Sequence, residues 1–310
     1  MQNAQLITDA RTGKRIPPWW LALPVAGLIL ALSTLGGIAG AFFDLARHIG
    51  LRNLPNTPPA EIQAQVYPQS AVEQAVWLGT SFVGVYLLLW LWVRFAEKRP
   101  FRTLGFRADR WVMRYGRGFL VGMVMFALAA GVPWAMGFYR LNGVPLAIAG
   151  SLVVLFGWLV QSAAEELLFR GWLLPVLSVR YGVPLGVLVS AALFAAAHSL
   201  NPHLNVLAIL NLALFAIFAA LYALHDGSIW GIAGAHAAWN WMQGNVMGIP
   251  VSGMQPVGGS WLSLVESGPD WLTGGAFGAE GGLAVSLVLA VGIALLLWKS
   301  KNSPQMGAEQ

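Results

Sequence analysis

The chain has 310 residues, 57% apolar and only 10% charged, with 15 Trp, 15 Phe and a formal charge of +5. This composition is too apolar for a soluble domain of such length and predicts an all-α, polytopic bundle of membrane helices. The absence of cysteine excludes a disulfide framework, a thiolate metal site and a cysteine nucleophile. The basic residues gather in particular loops and read as topology signals in a lipid bilayer, not as a nucleic-acid surface.

A polar segment with Arg11, Lys14, Arg15 and Pro17-Pro18 precedes an apolar run over about 19–43, which is longer than a signal-peptide core and is expected to be a retained first span. About 20 apolar residues are needed per crossing, and seven further spans are expected near 74–93, 118–138, 147–175, 183–201, 204–224, 229–247 and 281–298. Two connections are long, residues 44–73 with Pro and Asn and residues 248–280 with many Gly. With no repeat and no composition break, residues 1–310 read as a single membrane domain. Of the 18 Lys and Arg, fourteen fall at the N-terminus, in the loop holding Arg94 to Arg117, at Arg180 and at Lys299 and Lys301. Arg47, Arg52 and Arg140 fall on the other side, and Arg170 lies in a span. This alternation predicts that both termini are cytoplasmic. The basic second loop could also carry an interfacial segment that holds anionic headgroups.

Ionisable residues at membrane depth are costly and mark candidate functional sites. The fourth span carries Gln161, Ser162, Glu165, Glu166 and Arg170. Glu166 and Arg170 are four apart on one helical face in the favourable order for a pair, whereas Glu165 is turned by about 100° and lacks that partner. Phe194 and His198 share a face on the fifth span, as do His236 and Asn240 on the seventh. At about 1.5 Å per residue, Glu165, His236 and Asn240 lie near mid-span, and His198 lies roughly 9 Å from its midpoint. Tilt, a broken fourth helix or misplaced span ends could bring them together.

A carboxylate and a neutral imidazole sharing a water make a general-base pair. A second His and an Asn can donate to an oxyanion, so water attack on an amide is one reading. The same residues could form a buried structural network, or bind zinc, although His-Glu-x-x-His is absent. Gly-x-Ser-Gly and a pair of intramembrane aspartates are also absent. A peptide-binding scaffold and a proton-coupled transporter are further alternatives; paired broken helices in related halves are not evident for the latter.

Glu165-Glu166-x-x-x-Arg170, Phe194-x-x-x-His198 and His236-x-x-x-Asn240, in that order, resemble the CPBP family of intramembrane endopeptidases. That family includes the type II CAAX prenyl proteases and bacterial bacteriocin-processing and self-immunity proteins. The likeness covers about residues 150–247 and is reinforced by Gly227-Ser228-Ile229-Trp230. The resemblance implies a metal-independent glutamic endopeptidase with no cofactor, acting on a membrane-associated protein or peptide. Glu165 and His198 would activate water, His236 and Asn240 would form the oxyanion site, and Glu166, Arg170 and Phe194 would support them. The glycine-rich stretch ending at Gly282 looks like the bacterial branch, which implies a plasma-membrane location, and reads either as a flexible loop or as a lid over the cavity.

Overall fold

The computed structural model describes residues 4–48, 53, 57–58 and 67–302. Helices form at all eight expected places. They are α2 (Trp19–His48), α3 (Ala71–Glu97, with a π-helical last turn), α4 (Trp111–Ala135) and α5 (Ile148–Tyr181), followed by α6 (Val183–Ala197), α7 (Val206–Asp226), α8 (Trp230–Trp241, continued as a π-helical turn Met242–Val246) and α9 (Leu283–Asn302). Local chemistry fixes their ends. At the start of α3 Ser70 Oγ accepts from Glu73 N and the Glu73 carboxylate accepts from Gln69 N, Asn205 accepts from Ala208 N at the start of α7, and left-handed Gly227 closes α7.

Six of these helices are long and apolar enough to cross a bilayer; α6 has 15 residues and α8 is also short. Helix α6 stops at Ala197 because residues 198–203 turn away, so the expected span to 201 is shortened. Helix α8 needs no lipid-facing length, since every residue from Gly231 to Val246 is buried and it forms the centre of the bundle. Small residues allow this: the α4 and α8 backbones meet at Gly118 against Gly231, Gly122 against Ala235 and Gly234 against Tyr115. Outward faces are apolar, with Leu120, Val124, Leu128 and Val132 exposed on α4 and Leu283, Leu287, Val291 and Leu295 on α9. Exposed apolar stripes at i, i+4 spacing around a core that holds Glu, Arg and His are the inverse of a soluble helix, and the chain is an integral membrane protein.

Three features depart from the expected pattern. The polar N-terminus folds as α1 (Gln5–Arg11) and buries Leu6, Ile7 and Ala10. Helix α2 continues to His48, past the expected start of the 44–73 connection, half of which lies outside the described residues together with Arg52. A two-stranded antiparallel sheet joins β1 (Tyr139–Gly143) to β2 (Ser263–Glu266), pairing Arg140 with Val265 and Leu141 with Leu264. One end of the bundle gathers the segments expected to be basic: Lys14 N donates to Glu97 O, Arg180 Nε to Ile16 O, Trp230 Nε1 to Arg107 O, and His225 bonds Leu296 O. Not all of that charge is free, because Arg99 is buried against Glu97 at 2.6 Å and Asp109 pairs with Arg107 and Arg114. The β1–β2 sheet, the 198–205 turn and the 248–282 segment occupy the other end.

Candidate active site

Helix α5 changes winding directly after the two acids: it is α-helical from Ile148 to Glu166, π-helical from Leu167 to Leu173 and α-helical again to Tyr181. The wide turn falls where functional sites often interrupt a helix. Glu165 Oε1 accepts from Gln161 Nε2 at 2.6 Å, and its Oε2 has no hydrogen-bond partner among the described residues. Glu166 Oε1 accepts from Arg170 Nη1 at 3.0 Å and from His236 Nδ1 at 2.9 Å. The different helical phases of the adjacent carboxylates therefore give them different partners.

A carboxylate that accepts from Nδ1–H leaves His236 Nε2 on the cavity side, 3.9 Å from Glu165 Oε2. Asn240, one turn further along α8, donates from Nδ2 to Gln161 Oε1 at 3.2 Å. Gln161 thus holds Glu165 with one end and Asn240 with the other. Behind this layer Arg170 is fully buried, and its guanidinium lies over Phe194 at 4.5 Å and Phe215 at 5.9 Å.

His198 follows the last residue of α6, half-buried, with its ring 4.7 Å from that of Phe194. Its Nδ1–H donates to Phe194 O at 2.8 Å, which leaves Nε2 with a lone pair. The Phe-x-x-x-His spacing has a physical role here: Phe194 orients the imidazole with its carbonyl and stacks its ring against both His198 and Arg170.

Glu165, His198, His236, Asn240 and Phe194 line one cavity of about 510 Å³. His198 lies level with Glu165 because α5 runs on to Tyr181 and α6 starts at Val183, which sets the two residues at similar distances from the turn between the helices. Glu166 and Arg170 do not reach the cavity and sit behind His236. Glu165 and His198 are not hydrogen-bonded to each other among the described residues; the imidazole nearest Glu165 is that of His236. No group of three His, Asp or Glu side chains among the described residues is placed to hold a metal ion.

The cavity also holds residues that the spacing argument left out: Gln161, Asn211 on α7, and Ser252 with Glu280 from the glycine-rich segment. That segment is a built wall of the cavity, tied down by Gln243 Nε2 to Pro250 O at 2.6 Å and by Gly253 N to Phe277 O at 2.8 Å. The signals were present, an Asn inside an apolar span and an acid just before one, but each lacked an i, i+4 companion.

Residues 147–242 match the family described as "Type II CAAX prenyl endopeptidase Rce1-like", a stretch that contains all seven motif residues. Over 241 residues the chain is 30% identical to "Uncharacterized protein YyaK" of Bacillus subtilis (strain 168), covering 71% of this chain and 74% of that one. No solved structure matches it. The chain belongs to the CPBP family, among its type II CAAX prenyl endopeptidase Rce1-like members.

Proposed function

We propose that the protein is an intramembrane endopeptidase that hydrolyses a peptide bond of a membrane-associated protein or peptide. One observation carries this reading: a carboxylate oxygen, Glu165 Oε2, is buried without a partner 3.9 Å from His236 Nε2, and Glu165 lines the same cavity as His198 inside an apolar bundle. Left unused, such an oxygen costs the fold desolvation energy with no return. Placed against a water it becomes a general base.

In the proposed reaction Glu165 takes a proton from a water also held by His198 Nε2, and the oxygen attacks the carbonyl carbon. Asn240 keeps one Nδ2–H beyond its bond to Gln161 and can donate it to the developing oxyanion. Donation from His236 Nε2 requires the doubly protonated ring, whose charge the Glu166 and Glu165 carboxylates on either side would balance. The proton on Glu165 then passes to the leaving amine. The 3.9 Å separation of Glu165 and His236 favours a second assignment in which His236 is the base partner and His198, doubly protonated, donates from Nε2 to the oxyanion.

The test compares the membrane proteomes of cells carrying the native protein and Glu165→Gln. A precursor that accumulates in the variant, and is cleaved by purified native protein but not by Glu165→Gln, supports the reading. Complementation by Glu165→Gln points instead to a non-catalytic scaffold or immunity protein. His198→Ala and His236→Ala separate the two base assignments, and activity that survives exhaustive chelation supports water activation without a metal.

A further inference from the structure

Glu280 is the acid that the proposed chemistry leaves unused. Its main chain is fixed by Asn211, whose Nδ2 donates to Glu280 O at 2.7 Å and to Gly282 O at 2.8 Å while its Oδ1 accepts from Ser286 Oγ at 2.6 Å. Its side chain is fixed by Ser252, with Oε2 accepting from Ser252 N at 2.6 Å and from Ser252 Oγ at 3.0 Å. Ser252 adopts a left-handed backbone, φ 49°, a strained conformation for a residue with a Cβ. The two arms of the segment cross tightly, since a Cβ on Gly278 would stand 1.9 Å from Pro250 O. Such cost is well placed if it holds one carboxylate in a fixed orientation.

The other oxygen, Oε1, has no partner among the described residues, and no Lys or Arg lines the cavity. Glu165 Oε2 is unpaired in the same space, and its residue is more than nine-tenths buried. The remaining wall is apolar, with Trp77, Phe82, Trp158, Phe215 and Trp239 set among aliphatic side chains such as Leu78, Leu212 and Leu289. Carboxylates and aromatic faces without a cation repel an anionic occupant, and a neutral one would leave Glu280 half-buried and uncompensated. A cation satisfies both kinds of surface. We propose that Glu280 and the aromatic rings of this wall form a subsite for a cationic group of the substrate, a Lys or Arg side chain near the scissile bond. Burial raises the Glu280 pKa, and the Ser252 bonds lower it. A bound cation adds to the Ser252 bonds and favours the carboxylate form.

This inference rests on the endopeptidase reading, and the test separates the two. Peptides on a single hydrophobic anchor carry Lys, norleucine or Glu in turn at each position around the cleaved bond. At one position kcat/KM for Lys is expected to exceed that for norleucine by about tenfold, the scale of one charge-assisted contact, with Glu the poorest. Glu280→Gln keeps an oxygen for Ser252 and should bring the Lys-to-norleucine ratio near one. A ratio unchanged in Glu280→Gln, or no Lys preference in a native protein that cleaves, overturns the subsite. Native protein that cleaves none of the peptides overturns the endopeptidase reading as well. Should Glu280→Gln lose all turnover, binding of the same pair to Glu165→Gln and to Glu165→Gln/Glu280→Gln decides. A Lys preference in the first that vanishes in the second supports the subsite, and one that persists overturns it.

Discussion

The position of His236 depends on how closely α8 approaches α4, and two glycines set that distance. A Cβ on Gly118 would lie 1.7 Å from Gly231 O and one on Gly122 would lie 2.1 Å from Ala235 O, where ordinary contact begins at 3.4 Å. Both obstacles are main chain of a helix buried on all sides, so Gly118→Ala or Gly122→Ala must push α8 aside by roughly 1–2 Å. His236 directly follows Ala235, and it works at 2.9 Å from Glu166 and 3.9 Å from Glu165. A shift of about 1 Å at a reacting centre can cost about 10²-fold in rate. Gly122→Ala is therefore expected to lower kcat by about 100-fold or more and to destabilise the fold by about 1–3 kcal/mol. Gly116→Ala and Gly131→Ala, on the same helix with nothing within 4 Å of the added carbon, are the controls. They should keep native turnover and gain about 0.5–1 kcal/mol from helix propensity. Turnover of the anchored peptide and thermal unfolding in detergent measure both effects. Native turnover and melting for Gly122→Ala would refute the claim that this crossing positions His236.

The Glu166–Arg170 pair should behave as a unit. Arg170→Met strands a fully buried carboxylate and is expected to cost about 3–5 kcal/mol, whereas Glu166→Gln/Arg170→Met removes both charges and should melt close to the native protein. The double variant still loses about 100-fold or more in turnover, because His236 no longer has a carboxylate behind Nδ1; additive losses in stability would contradict the coupling. The charge asymmetry predicts a cytoplasmic basic end, so Leu200, which lines the cavity at the other end, is expected to face outward. The chain has no cysteine, so Leu200→Cys, 95% exposed beside the cavity, should react with an impermeant maleimide in intact protoplasts. Arg110→Cys should react only after lysis, and the reverse pattern would invert the orientation.

The membrane helices were legible because lipid selects long apolar runs, and the motif residues because polar groups in such runs stand out. Glu166 with Arg170 could be assigned from helical phase alone, and their 3.0 Å bond is that assignment in space. What periodicity could not supply was the inward face of each helix, since lipid-facing and core-facing positions are both apolar; Leu120 is exposed and Phe126 buried on the same helix. Helix α8 needed a different cue, the Gly and Ala spacing that lets it sink to the centre. The β1–β2 pairing joins strands more than a hundred residues apart, with neither carrying a clear alternation. The glycine-rich segment misled for a related reason. Its composition suggests freedom, yet Gly278 is required where the chain passes Pro250 O, which makes it a fixed part of the wall.

The two adjacent glutamates both face His236, Glu166 by a hydrogen bond and Glu165 across a gap. Along α5 and α8 the polar contacts run from Asn240 to Gln161 to Glu165, and from Arg170 to Glu166 to His236. These two chains approach each other at the 3.9 Å separation of Glu165 Oε2 and His236 Nε2. Every other step in them is closed by a direct hydrogen bond, so this gap and the free edge of His198 are where a water can enter the network. A fully closed network would be a rigid structural core. An opening at one site, backed by an arginine held over Phe194 and Phe215, keeps the surrounding groups fixed while leaving one carboxylate oxygen available. That is the preorganisation amide hydrolysis requires, because the groups that must stabilise the transition state need not move to do so.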